Sequence, residues 1–213
     1  MKHLLIVGAR GWGREVYGEC LRNSAFLRGE YDVKGFLDSK TDAFEGLRGD
    51  YPPIICSPEE YEIQENDIFF VALGDSNWRK HYVELIENKG GKFLTIISDK
   101  ASISPTAKIG EGSFVCGWSS VSDNVTIGNH VIIHSFCVLG HDAKSDDYST
   151  LLSYTFLGGY AEVGALSTMN PKSMIIPHKK VGKNCVVGAG SVVIRNVKDN
   201  IHVMGNPAKK VEY

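Results

Sequence analysis

From Ile103 onward an apolar residue recurs at every sixth position: Ile103, Ile109, Val115, Val121, Ile127, Ile133, Leu139, Ser145, Leu151, Leu157, Val163, Met169, Ile175, Val181, Val187 and Val193. Fifteen of these sixteen are aliphatic or Met, and Ser145 is the exception. Four residues after each comes a small or β-branched residue, from Ala107 to Val197, broken only at Lys179. Glycine recurs one place after the aliphatic column, at Gly110, Gly128, Gly140, Gly158, Gly164, Gly182 and Gly188. Helices repeat at about 3.6 residues and strands at about 2, so neither produces this spacing. Self-similarity at a fixed period marks a stacked solenoid. A unit with one large inward residue, one small inward residue and a turn glycine builds one side of a triangular β-helix. Three units close a coil, and the sixteen here predict about five coils.

Residues 1–98 follow different rules. The run at 4–7 is continuous and apolar, 33–37 and 68–73 read as further buried strands, and 93–97 predicts a closing strand. After the first run comes Gly8-Ala9-Arg10-Gly11-Trp12-Gly13, then a helical stretch over 14–22, with a second over 77–88. Ser57-Pro58-Glu59-Glu60 has the pattern of a helix start, with Ser as cap and Pro in the first turn. Strand, glycine turn, helix and strand together predict a small parallel α/β domain over 1–98. That is short for a full dinucleotide fold, which doubles the unit.

Composition narrows the function. Lysine plus arginine number 23 against 25 aspartates and glutamates, a net charge of −2, without the basic excess of a nucleic-acid binder. Five scattered cysteines, Cys20, Cys56, Cys116, Cys137 and Cys185, form no CxxC pair and read as reduced thiols. No apolar run reaches the 7–15 residues of a signal peptide or the ~18 of a membrane helix, so a soluble, cytoplasmic protein is expected.

Hexads with an aliphatic residue, a following glycine and a small fifth residue resemble the hexapeptide-repeat acyltransferases, and Gly205-Asn206-Pro207-Ala208-Lys209 is similar to the motif that follows their repeats. In the first half, residues 6–15, Gly35-Phe36-Leu37-Asp38, and Val71-Ala72-Leu73-Gly74-Asp75 with Arg79 resemble the sialic acid O-acetyltransferase and bacillosamine N-acetyltransferase group. The resemblance covers essentially the whole chain. It implies an α/β, Rossmann-like nucleotide-sugar-binding domain over 1–98. A left-handed parallel β-helix acetyltransferase domain with a C-terminal tail follows over 99–213. It further implies acetyl-CoA as cosubstrate, no metal, and a homotrimer with sites between neighbouring β-helices. The expected acceptor is a nucleotide-linked amino sugar used in surface polysaccharide biosynthesis.

Acetyl transfer to an amine needs a base for the proton released as nitrogen attacks. Of seven histidines, His141 follows Leu139 on the outward side of a rung, within Gly140-His141-Asp142. This matches the family motif in which the histidine is the base and the acid keeps it basic and oriented, here Asp142. His134, one hexad earlier, is a candidate for holding the sugar or for a purely structural part. Ser145 breaks the aliphatic column four residues after His141, as expected of either a functional irregularity or a small bulge. The family pattern, carried forward without gaps, puts acetyl-CoA contacts at Thr150, Pro171 and Ala189, with Gly159 near the thioester. It puts Gly8, Arg10, Gly11 and Trp12 around the phosphates and sugar, Asp38 and Ser39 at base or ribose, and Gly74 and Asp75 beside them. Trp12 stands where relatives commonly carry histidine and cannot transfer a proton. Arg10 replaces a small residue with a cation suited to a diphosphate.

Other readings remain. O-acetylation of a sugar or sialic acid, or transfer of another acyl group, fits the same motifs. A metalloenzyme similar to γ-type carbonic anhydrases would use His130, His134 and His141 on zinc, which leaves the N-terminal half unexplained. A nicotinamide oxidoreductase or nucleotide sensor would use the Gly8–Gly13 turn, and a scaffold trimer would use the repeats alone.

Overall fold

Continuous apolar runs form the parallel sheet of the first unit. β1 (Lys2–Val7), β2 (Tyr31–Leu37), β3 (Ile54–Cys56) and β4 (Asp67–Val71) align in the order β3-β2-β1-β4, and Phe93 bridges Phe69 beyond the β4 edge. Leu4, Leu5, Ile6, Phe69 and Phe70 are fully buried, as expected of a sheet covered on both faces. The computed structural model describes residues 1–211 and divides the chain into two units, Met1–Asp99 and a second from Lys100 onward.

α1 (Gly11–Cys20) packs on the sheet through Gly13, Val16 and Cys20, one face at helical spacing. Gly13 is required there, because a Cβ would stand 2.9 Å from the carbonyl carbon of Gly8. Gly8 has φ +100°, a conformation that side chains disfavour. A short α2 (Ser24–Leu27), capped by Asn23, precedes β2, and α3 (Ser76–Asn88) follows β4. The helix expected from Ser57 does not form. Ser57 caps one turn, accepting from the Glu60 and Tyr61 amides, and the chain then leaves helical geometry. Asp67 diverts it: its Oδ2 accepts from the Gln64 amide at 2.7 Å and from the Tyr61 hydroxyl at 2.7 Å.

The second unit is a left-handed parallel β-helix of two-residue strands on three faces. Face I carries Ile103, Val121, Leu139, Leu157, Ile175 and Val193 inward. Face II carries Ile109, Ile127, Ser145, Val163 and Val181, and face III carries Val115, Ile133, Leu151, Met169 and Val187. Up to the last coil each strand pairs in register with the residue eighteen places on, as in Leu139 with Leu157; in the last coil the spacing shortens to sixteen, as in Val187 with Val203. Ser145 is buried in this column, its Oγ 2.7 Å from Ser149 Oγ, so the irregularity is an internal hydrogen bond that points away from the surface. The small column is polar for a reason. Ser113 Oγ donates to the Gly128 carbonyl and accepts from the Val131 amide, and Ser119 and Ser167 repeat the arrangement one residue type at a time.

The recurring glycines serve stacking; the left-handed turn lies elsewhere. A Cβ at Gly140 would meet the Gly159 amide nitrogen at 2.9 Å and the Leu157 oxygen at 3.0 Å. The left-handed residue of each corner comes two places later and is mostly not glycine: Trp118, Asn124, His130, Phe136, Asp142, Tyr148, Tyr154, Tyr160, Leu166, Lys172, His178 and Asn184 all have positive φ. All five cysteines are free thiols, three buried and two half-buried. Among the described residues no helix is long and apolar enough to cross a membrane.

Candidate active site

Two places hold the candidate residues, one in each unit. In the first, the carboxyl ends of β1, β2 and β4 open into a cavity of about 410 Å³, the position where open parallel sheets bind ligands. Gly8, Arg10, Trp12, Asp38, Ser39, Gly74 and Asp75 line it. Gly11 does not, although its amide belongs to the first turn of α1, whose Arg10 cap makes no side-chain bond. The N-terminus of α1 carries the positive end of the helix dipole, which suits an anion. Asp38 ties two loops together, its Oδ2 accepting from the Ala9 amide at 2.8 Å and its Oδ1 from Lys40 at 2.9 Å. Asp75 caps α3, one oxygen accepting from the Asn77 and Trp78 amides at 2.9 Å each. Buried Arg79 donates to the Leu73 carbonyl at 2.7 Å and holds the same loop from behind.

Trp78, Tyr82 and Pro58 also line this cavity and escaped sequence reasoning. Trp78 is 59% exposed and stacks on Tyr82 with centroids 6.3 Å apart. The available signal was its place in the first turn of the helix directly after Gly74-Asp75.

In the second unit, His141 sits on the corner between faces I and II. Its Nδ1 lies 2.9 Å from Asp142 Oδ2. An ionised carboxylate only accepts, so the pair puts the ring proton on Nδ1 and leaves Nε2 with its lone pair. Gly159, one coil on, leaves the space at Nε2 open, since a Cβ there would stand 2.7 Å from both Cε1 and Nε2. Asp142 has the left-handed φ of 59°. Donors from Asn124 first and His141 second, then Tyr160, hold its carboxyl below the usual range against a smaller opposing effect of desolvation. The charge of Asp142 in turn pushes the Tyr160 hydroxyl up. Asn124 Nδ2 donates to Asp142 Oδ1 at 2.6 Å. The Tyr160 ring stands edge-on to His141, 5.3 Å between centroids and 87° between planes. Asn124, Tyr160 and His178 were missed in the sequence, where their only signal is a spacing of one coil from Asp142 or from each other.

The remaining expected residues fall elsewhere on the coil. His134, Pro171 and Ala189 share the corner between faces III and I, while Gly159 shares the corner of His141. Pro171 and Ala189 are exposed. Thr150 lies on face III with its side chain buried, 1% exposed. His130, His134 and His141 occupy three different corners of one coil, and His130 is buried against Tyr148. Among the described residues no group of three or more His, Cys, Asp or Glu side chains is placed to hold a metal ion.

A parallel α/β unit with an open cavity, followed by a left-handed β-helix with an exposed His–Asp pair on one corner, defines a hexapeptide-repeat transferase architecture. Family comparison agrees: residues 3–86 match the PglD N-terminal domain and residues 106–141 match the bacterial transferase hexapeptide (six repeats). Both matches agree with the resemblance to the sialic acid O-acetyltransferase and bacillosamine N-acetyltransferase group.

The acetyltransferase domain of PglB from Neisseria gonorrhoeae FA1090 superposes with TM-score 0.89 at 27% identity, covering 99% of this chain and 100% of that one. The perosamine N-acetyltransferase of Caulobacter crescentus, in complex with CoA and GDP-perosamine, has the same fold, with TM-score 0.89 at 23% identity over 100% of this chain and 98% of that one. UDP-N-acetylbacillosamine N-acetyltransferase of Bacillus subtilis (strain 168) is 30% identical over 117 residues, 54% of this chain and 51% of that protein. Acyl-[acyl-carrier-protein]--UDP-N-acetylglucosamine O-acyltransferase of Pseudomonas paraeruginosa is 27% identical over 84 residues, 39% of this chain and 33% of that protein. The chain thus spans about half and about a third of the lengths of these two curated relatives.

Proposed function

We propose that the chain is an acetyl-CoA-dependent N-acetyltransferase acting on the amino group of a nucleotide-linked sugar. The observation that carries this reading is the His141–Asp142 pair, with Nε2 facing the space that Gly159 leaves open. Acetyl-CoA supplies an activated acetyl thioester, and Gly159 together with the exposed Pro171 and Ala189 fits a ligand that makes backbone contacts along exposed corners. His141 Nε2 accepts the proton released as the sugar nitrogen forms its bond to the acetyl carbon, and the thiolate of coenzyme A leaves with the electron pair of the broken C–S bond. Asp142 holds the imidazole and balances the charge it gains. No acyl-enzyme forms.

The cavity of the first unit suits the nucleotide. Its aromatic walls, Trp12, Trp78 and Tyr82, offer flat apolar surface for base or sugar. Arg10 and the N-terminus of α1 suit a diphosphate. The assembly in this reading is a homotrimer. Trp118, Phe136 and Tyr154 are 61%, 44% and 53% exposed on one corner, and Val138, Phe156 and Met174 are exposed on the adjoining face I. A contiguous apolar stripe of this kind marks an interface. O-acetylation is the second reading, supported by the O-acyltransferase name of the Pseudomonas relative.

Coenzyme A release from acetyl-CoA, measured against UDP-, GDP- and dTDP-linked amino sugars and against sialic acid, tests both. Turnover with one amino sugar supports N-acetylation; turnover only with a hydroxyl acceptor moves the reading to O-acetylation. In the active pair His141→Asn should lose about 10²–10⁴-fold in kcat, the usual contribution of a general base. Near-normal kcat in a folded variant removes His141 from that part.

A further inference from the structure

The proposed base has an exposed partner. The side chains of His141 and Asp142 are 61% and 26% accessible, and an isolated surface pair of this kind is held too weakly to keep one arrangement populated. Asp142 also sits in a left-handed turn, with its backbone fixed and its side-chain torsion free to carry the carboxylate away from the ring. Something must hold it.

We propose that Asn124 and Tyr160 are positioning residues that clamp the Asp142 carboxylate from the coils on either side, so that its other oxygen stays on His141 Nδ1. The inference rests on the reading of His141 as base. Asn124, Asp142, Tyr160 and His178 are the left-handed residues of one corner in four successive coils, so their side chains leave the corner in parallel. Asn124 takes Oδ1 at 2.6 Å while His141 Nδ1 meets Oδ2 at 2.9 Å, which fixes the plane of the carboxylate from both ends. Tyr160, one coil on, stands edge-on to the His141 ring with 5.3 Å between centroids, and its hydroxyl helps hold the Asp142 carboxyl below its ordinary value. Two contacts limit the motion of Tyr160: its ring lies flat on His178, 4.8 Å between centroids and 9° between planes, and its amide donates to the His141 carbonyl at 3.0 Å. Asn124 is held by its own amide on Thr106 Oγ1 at 2.9 Å. Asp123, the nearest other carboxylate on the Asn124 turn, is turned to Thr106 and Ser104 and does not compete.

Two variants isolate the clamp. Asn124→Asp keeps the shape and exchanges a donor for a like charge; Tyr160→Phe keeps both ring contacts and removes only the hydroxyl. With 15N-labelled histidine in the full chain, wild type should show His141 dominantly as the Nδ1–H tautomer, and each variant should populate the other tautomer. Kcat in each should fall about tenfold or more, with KM for both substrates within about twofold, because a 1 Å misplacement of a catalytic group alone costs up to about 10²-fold. Wild-type tautomer populations in both variants overturn the clamp, as does a tautomer shift with unchanged kcat, or lost kcat with an unchanged ring. If wild type transfers acetyl to no acceptor, the functional reading falls, and the tautomer measurement alone still decides whether the clamp exists.

Discussion

Gly159→Ala adds one methyl group beside the candidate base. The Cβ would stand 2.7 Å from His141 Cε1 and Nε2, against the 3.5–4.0 Å of ordinary carbon contact, so about 0.8–1.3 Å of movement is required. The backbone of Gly159 is tied in the coil by the Tyr160 amide on His141 O and the His178 amide on Gly159 O, both 3.0 Å, so the imidazole must yield. A shift of that size carries Nδ1 from 2.9 Å to well beyond hydrogen-bond range of Asp142. Misplacement on this scale should lower kcat about 10²-fold, equal to ~2.7 kcal/mol in the barrier. Stability should hold, because Gly159 does not occupy the left-handed region, and alanine in its place gains about 0.4–1 kcal/mol through the unfolded chain. Steady-state coenzyme A release gives kcat, and a thermal melt gives stability. A folded variant with kcat within threefold of wild type would refute the argument that the gap at Gly159 exists for His141.

The neighbouring Gly158→Ala should behave oppositely. Its Cβ would meet the Pro177 nitrogen at 2.5 Å and Cδ at 2.6 Å, neither able to move, so a loss of about 1–3 kcal/mol should appear as a lower melting temperature. In the first unit, burial opposes the charge on Asp67, yet Lys34 at 2.8 Å, the Gln64 amide and Tyr61 outweigh it and hold the carboxyl below its ordinary value. Because that value is depressed on folding, the contribution is complete above about pH 4 and disappears as pH falls through the lower folded value. Acid titration of wild type should therefore show loss only below pH 4. Asp67→Asn should cost about 2–3 kcal/mol at pH 7, discounted for the partly exposed lysine, and flatten that acid limb; equal pH 7 stability in urea titrations counts against the pair. Phe156→Glu, on exposed face I, should yield a monomer in light scattering, and an undiminished trimer mass would place the interface elsewhere.

Much of this molecule is legible in its sequence because a β-helix repeats one local rule. Ile103 to Val193 all land on the inner column, and even Ser145 is inside, where pairing with Ser149 replaces the missing aliphatic contact. The strands at 4–7 and 68–73 are readable because strands buried on both faces are continuously apolar, and 33–37 is readable from its apolar ends in spite of Lys34. Two kinds of feature were not. The stop after Ser57 depends on Asp67, a contact made through tertiary structure that no local cap pattern reveals. The partners of Asp142 lie one coil away, so local motif reading stops at Gly140-His141-Asp142. The glycine column is visible, but its cause is the approach of the next coil, and the left-handed residues are mostly Asn, Asp, His and aromatic side chains, with Leu166 and Lys172 besides.

The eighteen-residue register makes this chain a counting device. From Ser102 to Val193 an insertion built into the rungs and shorter than a full hexad throws the inward column out of phase; the last coil alone counts sixteen, as in Val187 with Val203. Six residues restore the phase but turn everything downstream by one face, which separates Asp142 from Tyr160 if placed between them. Only a whole coil returns each side chain to its own edge, and even then Asp142 meets a stranger in place of Tyr160 or Asn124. Length change within those coils is therefore quantised, and the corner of His141 tolerates variation by substitution far more readily than by insertion.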